Sequence, residues 1–374
     1  MKSCFENLIF CLDNSENYQM SEVDFDFLVS RFRHFSELEC RGSSKLYEHI
    51  AAEIAHDQDL LELASHAQPR QPVPNMLFAA VHYLLLAGAD HELRWFYPNL
   101  VGETAGKEPA FSPFKEFCIL YRSEIIQLLQ TRRGQTNEVR RCAYLYPVFC
   151  EIHRQLEKPL ALFEIGTASG LQLLWDHYSY TYGDERMAFG AKGSTVQIDS
   201  EIRGAKKPFL SHKPPPVAWR AGADISIVDL ATDDDFLWLR ALVWPEHKDR
   251  IDLMTRAVEV FKANSPRLIE GDGVEIVDEI SHEVPGDAVL CVYHTHVANQ
   301  FHPREKKDEL LQIVDGVAQR REICHIYNNM MDGSLHLDML GVSRPSRQII
   351  AKTDGHARWF EWLPYIEDNN ANAA

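Results

Sequence analysis

The segment Phe163-Glu-Ile-Gly-Thr-Ala-Ser-Gly-Leu171 decides which fold class the sequence predicts. It begins inside the short apolar run 160–165, contains glycines at 166 and 170, and leads into helical spacing of apolar residues over 171–178. This succession predicts a strand, a glycine turn and a helix. Because a helix start offers unpaired N–H groups and glycines let a ligand approach the backbone, we expect the turn to hold a small anionic or polar ligand.

Two common nucleotide-binding patterns differ from this turn. A dinucleotide fingerprint needs glycine at 166, 168 and 171, whereas the chain has Gly166, Ala168 and Leu171. A phosphate-binding loop needs Gly-Lys followed by Ser or Thr, and none follows Gly170. The sequence therefore argues against a nicotinamide cofactor and against a P-loop ATP site.

Apolar runs alternate with helical spacing in the rest of this half of the chain. The runs span 217–227, 267–271, 288–297 and 322–327, and helical segments span 233–262, 274–280 and 305–319. The alternation predicts an α/β fold with a mostly parallel sheet flanked by helices. Segments 335–342 and 348–362 predict two more strands, and the Gly-, Lys- and Pro-rich segment 180–216 predicts an insertion carrying a small hairpin.

The first part of the chain predicts a different kind of unit, with apolar positions three and four residues apart. One such stripe consists of Phe25, Leu28, Phe32 and Phe35. We therefore predict an all-helical N-terminal domain over 1–157 and an α/β domain over 158–368. Residues 369–374 have nothing to bury and are predicted to form a disordered tail.

Acidic residues stand at the ends of three successive predicted strands, at Glu164, Asp224 and Asp272. A single Asp in such a place is well explained as a helix cap or a turn residue. Three acids together favour a shared site, because ligands of open α/β sheets bind at the carboxyl ends of the strands.

The segment 163–171 resembles the first motif of class I S-adenosylmethionine-dependent methyltransferases, in which glycines follow an acidic strand residue two and six positions later. The resemblance implies a Rossmann-like sheet of the methyltransferase type, with S-adenosylmethionine as cofactor. It implies that these residues surround the methionine half of the cofactor: Glu164, Gly166, Ala168 and Gly170. It further implies that Asp224 binds the ribose hydroxyls and that Asp272 approaches the adenine. Ala168 departs from the usual glycine.

A longer pattern consists of Thr136-Asn-Glu-Val139 with Arg141, Glu164-Ile-Gly166 with Gly170-Leu171, Gly222 with Asp224, and Trp244-Pro245. It resembles an uncharacterised family known as domain of unknown function 2332. The resemblance extends from about residue 72 to residue 301. It implies a methyltransferase-like domain with a helical N-terminal extension, and no reaction.

Polar residues after the fourth predicted strand are candidates for catalysis. His294 and His296 point to the same side if the strand continues through both, and a neutral imidazole can act as a general base near neutral pH. Asn299 follows them as a candidate substrate-binding residue. As alternatives, one histidine belongs to the core, or His294, His296 and His302 bind zinc, although this spacing matches no established zinc pattern.

A second candidate cluster precedes the glycine strand. Asn137 and Glu138 can hydrogen-bond a substrate or cofactor, and the guanidinium of Arg141 can bind a carboxylate. The alternative is that Thr136 caps a helix and the arginines form a solvated face.

Composition limits the partners. The formal net charge of −17 disfavours nucleic acid and anionic membrane surfaces. The eight cysteines contain no Cys-x-x-Cys pair, which predicts free thiols in a reducing compartment. With no run of about 20 apolar residues and only a short apolar run at 8–12, we expect a cytoplasmic protein.

The methyltransferase resemblance implies methyl transfer from S-adenosylmethionine, and the acidic charge balance favours a small molecule as the acceptor. No Asn-Pro-Pro-Tyr-like sequence follows the fourth predicted strand, which disfavours methylation of adenine or of a glutamine amide. Two alternatives stay open: a non-catalytic protein of this fold that senses cofactor or binds a partner, and a hydrolase with a histidine-bound metal.

Overall fold

The computed structural model describes residues 24–102, 109–135, 137–183 and 187–367. Contacts divide the described chain into two compact units. The sheet unit contains Asn137–Leu230 and the chain from Leu253 onward, and the helical unit contains the chain up to residue 135 together with Ala231–Asp252. The predicted tail at 369–374, the apolar run at 8–12 and the predicted cap Thr136 lie outside the described residues.

The helical unit begins with helices whose apolar faces form one core. The helices are α1 Phe25–His34, α2 Lys45–Ile54, α3 Gln58–Ala64, α4 Val73–Leu86, α5 Pro98–Val101, α6 Phe111–Leu120 and α7 Arg122–Thr131. A π-helical segment, Phe35–Cys40, continues α1. The ring of Phe78 stacks on those of Tyr47, at 4.1 Å between centroids, and Phe35, at 5.6 Å.

The rest of the chain supplies further helices and the strands. In chain order they are α8 Cys142–Leu156, β1 Leu160–Ile165, β2 Ser179–Tyr182, β3 Phe189–Gly190, β4 Gln197–Arg203, β5 Val217–Asp224, α9 Asp233–Leu242, α10 Lys248–Ala263, β6 Arg267–Glu270, α11 Gly273–Glu283, β7 Val289–His294, α12 Lys306–Ala318, β8 Ile323–Tyr327, β9 Ser334–Leu340, β10 Ser346–Thr353 and β11 Trp359–Glu367.

Two of these helices belong to a different unit from the one that the predicted domain boundary between residues 157 and 158 assigns them to. Helix α8 belongs to the sheet unit, where Phe149 stacks on Trp175 at 4.5 Å. Helix α9 belongs to the helical unit, because Trp238 is buried in its apolar core. The indole N–H of Trp238 also donates to the carbonyl of Arg133 at 2.8 Å.

Within the described residues, the strands form one eleven-stranded sheet in the order β3-β2-β4-β11-β10-β9-β8-β7-β1-β5-β6. The strands β6, β5, β1, β7 and β8 are neighbours and run parallel. The strands β8 to β11 pair antiparallel, each with the next. The prediction of a mixed α/β fold with a large, mostly parallel sheet flanked by helices is confirmed.

Two segments of the strand prediction need more detail. The insertion at 180–216 contains the predicted small hairpin as the antiparallel pair of β2 and β3, and β2, β3 and β4 also extend the main sheet through a parallel pairing of β4 with β11. The segment 348–362 contains parts of two strands, β10 and β11, because the chain turns at Asp354, whose carbonyl accepts from the N–H of Ala357.

The two faces of the central strands have different neighbours. Ala161, Phe163 and Ile165 of β1 belong to a core that includes side chains of α11 and α12. Glu164 lies between them in sequence and therefore points to the opposite face, with Tyr293 as its partner on β7. On that face Tyr293 contacts Phe149 of α8, with ring centroids 5.5 Å apart.

Cysteines and helix lengths bear on two further predictions. The cysteines that the structure describes are free and buried: Cys40, Cys118, Cys142, Cys150, Cys291 and Cys324. Within the same residues, no helix has the length and apolar character required to cross a bilayer.

Candidate functional site

The turn after β1 is closed by hydrogen bonds within the chain. The N–H groups of Gly166 and Thr167 donate to the carbonyl of Ala223 at 2.8 and 3.1 Å, and that of Gly170 donates to the carbonyl of Thr167 at 2.8 Å. The N–H of Ala168 donates to Oδ2 of Asp224 at 2.9 Å. The amides that we expected to face a ligand therefore have partners in the protein.

The element after this turn also differs from the expected helix. Leu171–His177 is a 3-10 helix with non-helical backbone at Leu174. Such a short segment sums few peptide dipoles, so it gives little of the positive end that an α-helix offers to an anion.

The glycines of the turn are explained by close packing. Gly166 has a φ of +73°, and a Cβ there would lie 2.4 Å from Cγ2 of Val297, which follows β7. Gly170 has a φ of +79°, and its Cβ would lie 2.8 Å from Cδ2 of Leu268. Ala168 keeps its side chain at a φ of +51°. The sequence motif thus identifies a tightly packed turn.

Glu164 is a buried carboxyl group at the end of β1, with 3% of its surface exposed. Burial raises its pKa to about 8, the nearby Asp224 carboxylate adds to the rise, and a hydrogen bond from Thr167 and the charge of Arg141 oppose it. The Thr167 hydroxyl donates to Oε2 at 2.6 Å. Burial favours the protonated form of such a carboxyl group, and a nearby cation would favour its ionised form.

Asp224 and Asp272 lie at the predicted strand ends and also have roles within the chain. Oδ1 of Asp224 accepts from the N–H of Ser226 at 3.0 Å, besides the bond from Ala168. Asp272 caps α11, since its Oδ1 accepts from the N–H of Val274 at 2.9 Å, and it pairs with Lys306. The helix-cap alternative thus describes Asp272.

The structure brings the segment 137–141 to this edge of the sheet. Oδ1 of Asn137 accepts from the hydroxyl of Ser169 in the glycine turn at 2.6 Å. Arg141 is 3% exposed, and its guanidinium donates to the carbonyls of Gly355 at 3.1 Å and Thr295 at 3.2 Å. Arg141 is therefore a buried cation that joins three segments of the sheet unit, and the solvated-face alternative does not describe it.

The two candidate histidines point in different directions. Strand β7 ends at His294, and His296 follows in left-handed backbone with a φ of +58°, so the condition for a shared side is not met. His294 lies on the face of α12, fully buried, with its Nε2 3.2 Å from Nε2 of His325. Burial, with a smaller effect of Lys307, lowers its pKa to about 3.

His296 instead belongs to a polar cluster with Arg141, Asn328 and Asn329. Its N–H donates to Oδ1 of Asn328 at 2.7 Å, and its Nδ1 contacts the side-chain amide of Asn329. Its pKa is well below the usual value because of burial and the charges of Arg141 and His356. Asn299 follows in the 3-10 helix Ala298–Gln300 and is half-buried.

Several polar residues of this cluster were missed by sequence reasoning. They are Gln172, Thr295, Asn328, Asn329 and His356. The hydroxyl of Thr295 donates to Oε1 of Gln172 at 3.3 Å, and His356 contacts Glu138. Asn328 and Asn329 directly follow β8, which is a signal available in the sequence, whereas His356 follows β10 and required the strand order.

The described residues show no metal centre in this cluster. Among the described side chains, no group of three or more His, Cys, Asp or Glu is arranged to hold a metal ion. Two surface cavities lie elsewhere, one of about 350 Å³ beside Cys150 and Phe209 and one of about 720 Å³ beside His91 and Trp95. We take the buried polar groups, and not these cavities, as the candidate ligand site, because a ligand site needs convergent polar groups as well as volume.

Comparisons with known proteins give one relationship. No curated protein and no solved structure matches the chain. A family model described as "Uncharacterized protein conserved in bacteria (DUF2332)" matches residues 29–362, which is most of the 374 residues. The chain therefore belongs to the domain of unknown function 2332 family.

Proposed function

We propose that the sheet unit binds S-adenosylmethionine at the carboxyl ends of β1, β5 and β7 and transfers its methyl group to a small molecule. The observation that carries the proposal is the pair of acids, Glu164 and Asp224, beside the glycine turn. Strand β1 has β5 on one side and β7 on the other. Ligands of open α/β sheets bind where the strand order reverses in this way.

The chemistry of these residues fits a cationic cofactor. Glu164 has a pKa raised by burial and by Asp224, so a positive ligand near it would favour the ionised carboxylate. S-adenosylmethionine supplies such charges, on its ammonium group and on its sulfonium, and the sulfonium carries the methyl group that is transferred. Asp224, held at the strand end by Ala168 and Ser226, is the acceptor for the ribose hydroxyls in this proposal.

The protein's own residues would orient the acceptor. Arg141 is fixed by carbonyls of Gly355 and Thr295, so its position costs little entropy when a substrate binds. Asn137, Glu138 and Asn299 complete the proposed substrate-binding set. His296 is the catalytic candidate that lies near Arg141, whereas His294 faces α12 and contributes to the core.

A second candidate function is a non-catalytic protein of this fold. The observation that favours it is the closed glycine turn, whose amides bond to the chain itself and whose Gly166 packs against Val297. Because the amides of this turn already have partners, the turn needs no ligand to satisfy them. The acids beside it then fit a scaffold that binds another molecule. The histidine–metal hydrolase has no supporting cluster among the described residues.

Calorimetric titration of the full chain with S-adenosylmethionine and with S-adenosylhomocysteine tests the proposal. We expect both to bind, and we expect Asp224→Ala to weaken S-adenosylhomocysteine by about 1–3 kcal/mol, the usual range for unsatisfied buried partners. Asp199→Ala, on the exposed side of β4, is the control and should leave affinity unchanged. If the folded protein binds neither compound, the non-catalytic function replaces this one.

A further inference from the structure

A carboxylate and a histidine form a pair at the same edge of the sheet. Oε2 of Glu138 lies 3.0 Å from Nδ1 of His356. The side chain of Glu138 is 2% exposed, whereas that of His356 is 24% exposed. The carboxylate is therefore shielded by protein while part of the imidazole reaches solvent.

The loop that carries His356 is held in place from several directions. Arg141 donates to the carbonyl of Gly355 at 3.1 Å, and the hydroxyl of Ser200 donates to that of Ala357 at 2.7 Å. Asp354 accepts from the N–H of His356 at 3.3 Å. Glu138 is fixed as well, since its Oε1 accepts from the N–H of Arg140 at 3.3 Å. The pair is thus preorganised.

The strand directions place this pair beside the proposed site. Strand β10 runs antiparallel to β9 and β9 runs antiparallel to β8, so β10 ends at the same edge as β8, β7 and β1. The charges of Arg141 and His356 both lower the pKa of His296, so each of these two side chains is within electrostatic reach of His296.

We propose that His356, oriented by Glu138, is the proton acceptor of the site in place of His296, and that the methyl acceptor is a small molecule with a hydroxyl group. A buried carboxylate bonded to one imidazole nitrogen orients the ring and stabilises its protonated form. Arg141 favours a hydroxyl over an ammonium group, since a nearby cation stabilises an oxyanion and repels a positive substrate. The inference rests on the proposed function.

The proton and electron balance is simple. The hydroxyl proton passes to Nε2 of His356, and water later removes it from the imidazolium. The oxygen lone pair forms the bond to the methyl carbon, while the pair of the broken carbon–sulfur bond stays with sulfur. Glu138 remains ionised throughout and balances the imidazolium charge.

The first test measures the pKa of His356 by NMR in the full chain. We expect Glu138→Gln to lower it by about one unit, because the amide keeps a hydrogen-bond acceptor and removes the charge. Glu151→Gln, which alters an exposed ion pair with Arg154, is the control. The resonance of His153, whose Nδ1 contacts the carbonyl of Lys158, is the internal reference. An unchanged pKa in Glu138→Gln would overturn the pairing.

The second test uses 4-nitrocatechol, whose spectrum reports loss of its hydroxyl proton. With the wild-type chain, we expect its apparent pKa to fall by about one unit on binding. His356→Gln, which keeps a donor to Glu138, should abolish this shift, and His153→Gln should not. The proposal is overturned if 4-nitrocatechol does not bind, or if its apparent pKa falls equally on binding to His356→Gln. This result does not depend on S-adenosylmethionine, so it is separate from failure of the calorimetric test.

Discussion

At the residue scale, the state of Glu164 shows how burial changes an ordinary carboxyl group. Its pKa is about 8 in the folded chain against 4.5 for an unburied glutamate. The folded state therefore holds a proton that the unfolded state loses, and the folded protein loses stability as pH rises from about 4.5 to about 8.

Glu164→Gln should remove this dependence. We expect the variant and the wild type to have similar free energies of unfolding near the low end of that range, because glutamine resembles the protonated acid. Toward the high end the variant should be more stable by on the order of a few kcal/mol. Urea unfolding at several pH values measures this, with Glu201→Gln on β4 as control. A constant difference across the range would contradict the assigned pKa.

His294 gives the opposite pH dependence. Its pKa is lowered from 6.5 to about 3, so the folded state keeps it neutral while the unfolded state is protonated below about 6.5. Its contribution to stability is complete above that value and is lost as pH falls toward 3.

Replacing His294 should therefore flatten the acid side of the stability curve. In His294→Gln we expect a lower free energy of unfolding at neutral pH and a smaller decrease between about pH 6.5 and pH 4 than in the wild type. The neighbouring His325, whose pKa is also well lowered by burial, retains part of the dependence. Curves of equal slope for both proteins would show that His294 does not titrate as inferred.

At the element scale, the contact between the β1 turn and the loop after β7 explains the glycine motif. An alanine at 166 combines left-handed backbone with a clash against Val297. Gly193 has a similar φ of +79° and nothing within 4 Å of an added Cβ. The two glycines therefore separate backbone strain from packing.

Gly166→Ala should destabilise the protein more than Gly193→Ala. For the second we expect about 1–2 kcal/mol from backbone strain alone, and for the first a further 1–3 kcal/mol from overpacking. Adding Val297→Ala to Gly166→Ala should restore part of the loss, as denaturant unfolding of the double-mutant cycle will measure. Equal effects of both glycine substitutions would mean that Val297 simply moves aside.

At the scale of the whole molecule, the chain returns to the helical unit at Ala231–Asp252. Trp238 of α9 is 2% exposed and belongs to the core of residues 28–129, and Leu242 of the same helix packs against that core. A fragment that begins at residue 137 lacks the side chains that cover this face of α9.

We expect that fragment to bind the dye ANS and to self-associate, because it exposes an apolar surface. Trp238→Gln together with Leu242→Gln should reduce both effects in the fragment. Fluorescence and light scattering provide the measurements, with the full chain as reference. A monomeric fragment without dye binding would contradict the division of the chain.

Much of the architecture was predictable because it depends on local patterns. The apolar run at β1, the glycines after it and the alternation of strands and helices are visible in neighbouring residues, and they predict an α/β sheet. The runs at 217–227, 267–271 and 288–297 contain β5, β6 and β7 but extend past the ends of these strands. Asp224 is the last residue of β5 and His294 the last of β7, whereas Asp272 follows β6 as the cap of α11.

Tertiary structure alone decided what those residues contact. Pairing of β4 with β11, the face to which His294 points, and the bonds of Arg141 to Gly355 and Thr295 join segments distant in sequence. The Glu138–His356 pair is separated by 218 positions. Sequence periodicity shows which side of a strand a residue occupies, but the order of strands shows which side chains meet. Burial then sets their charge, as for Glu164, because desolvation depends on surroundings that arrive only when the sheet has formed.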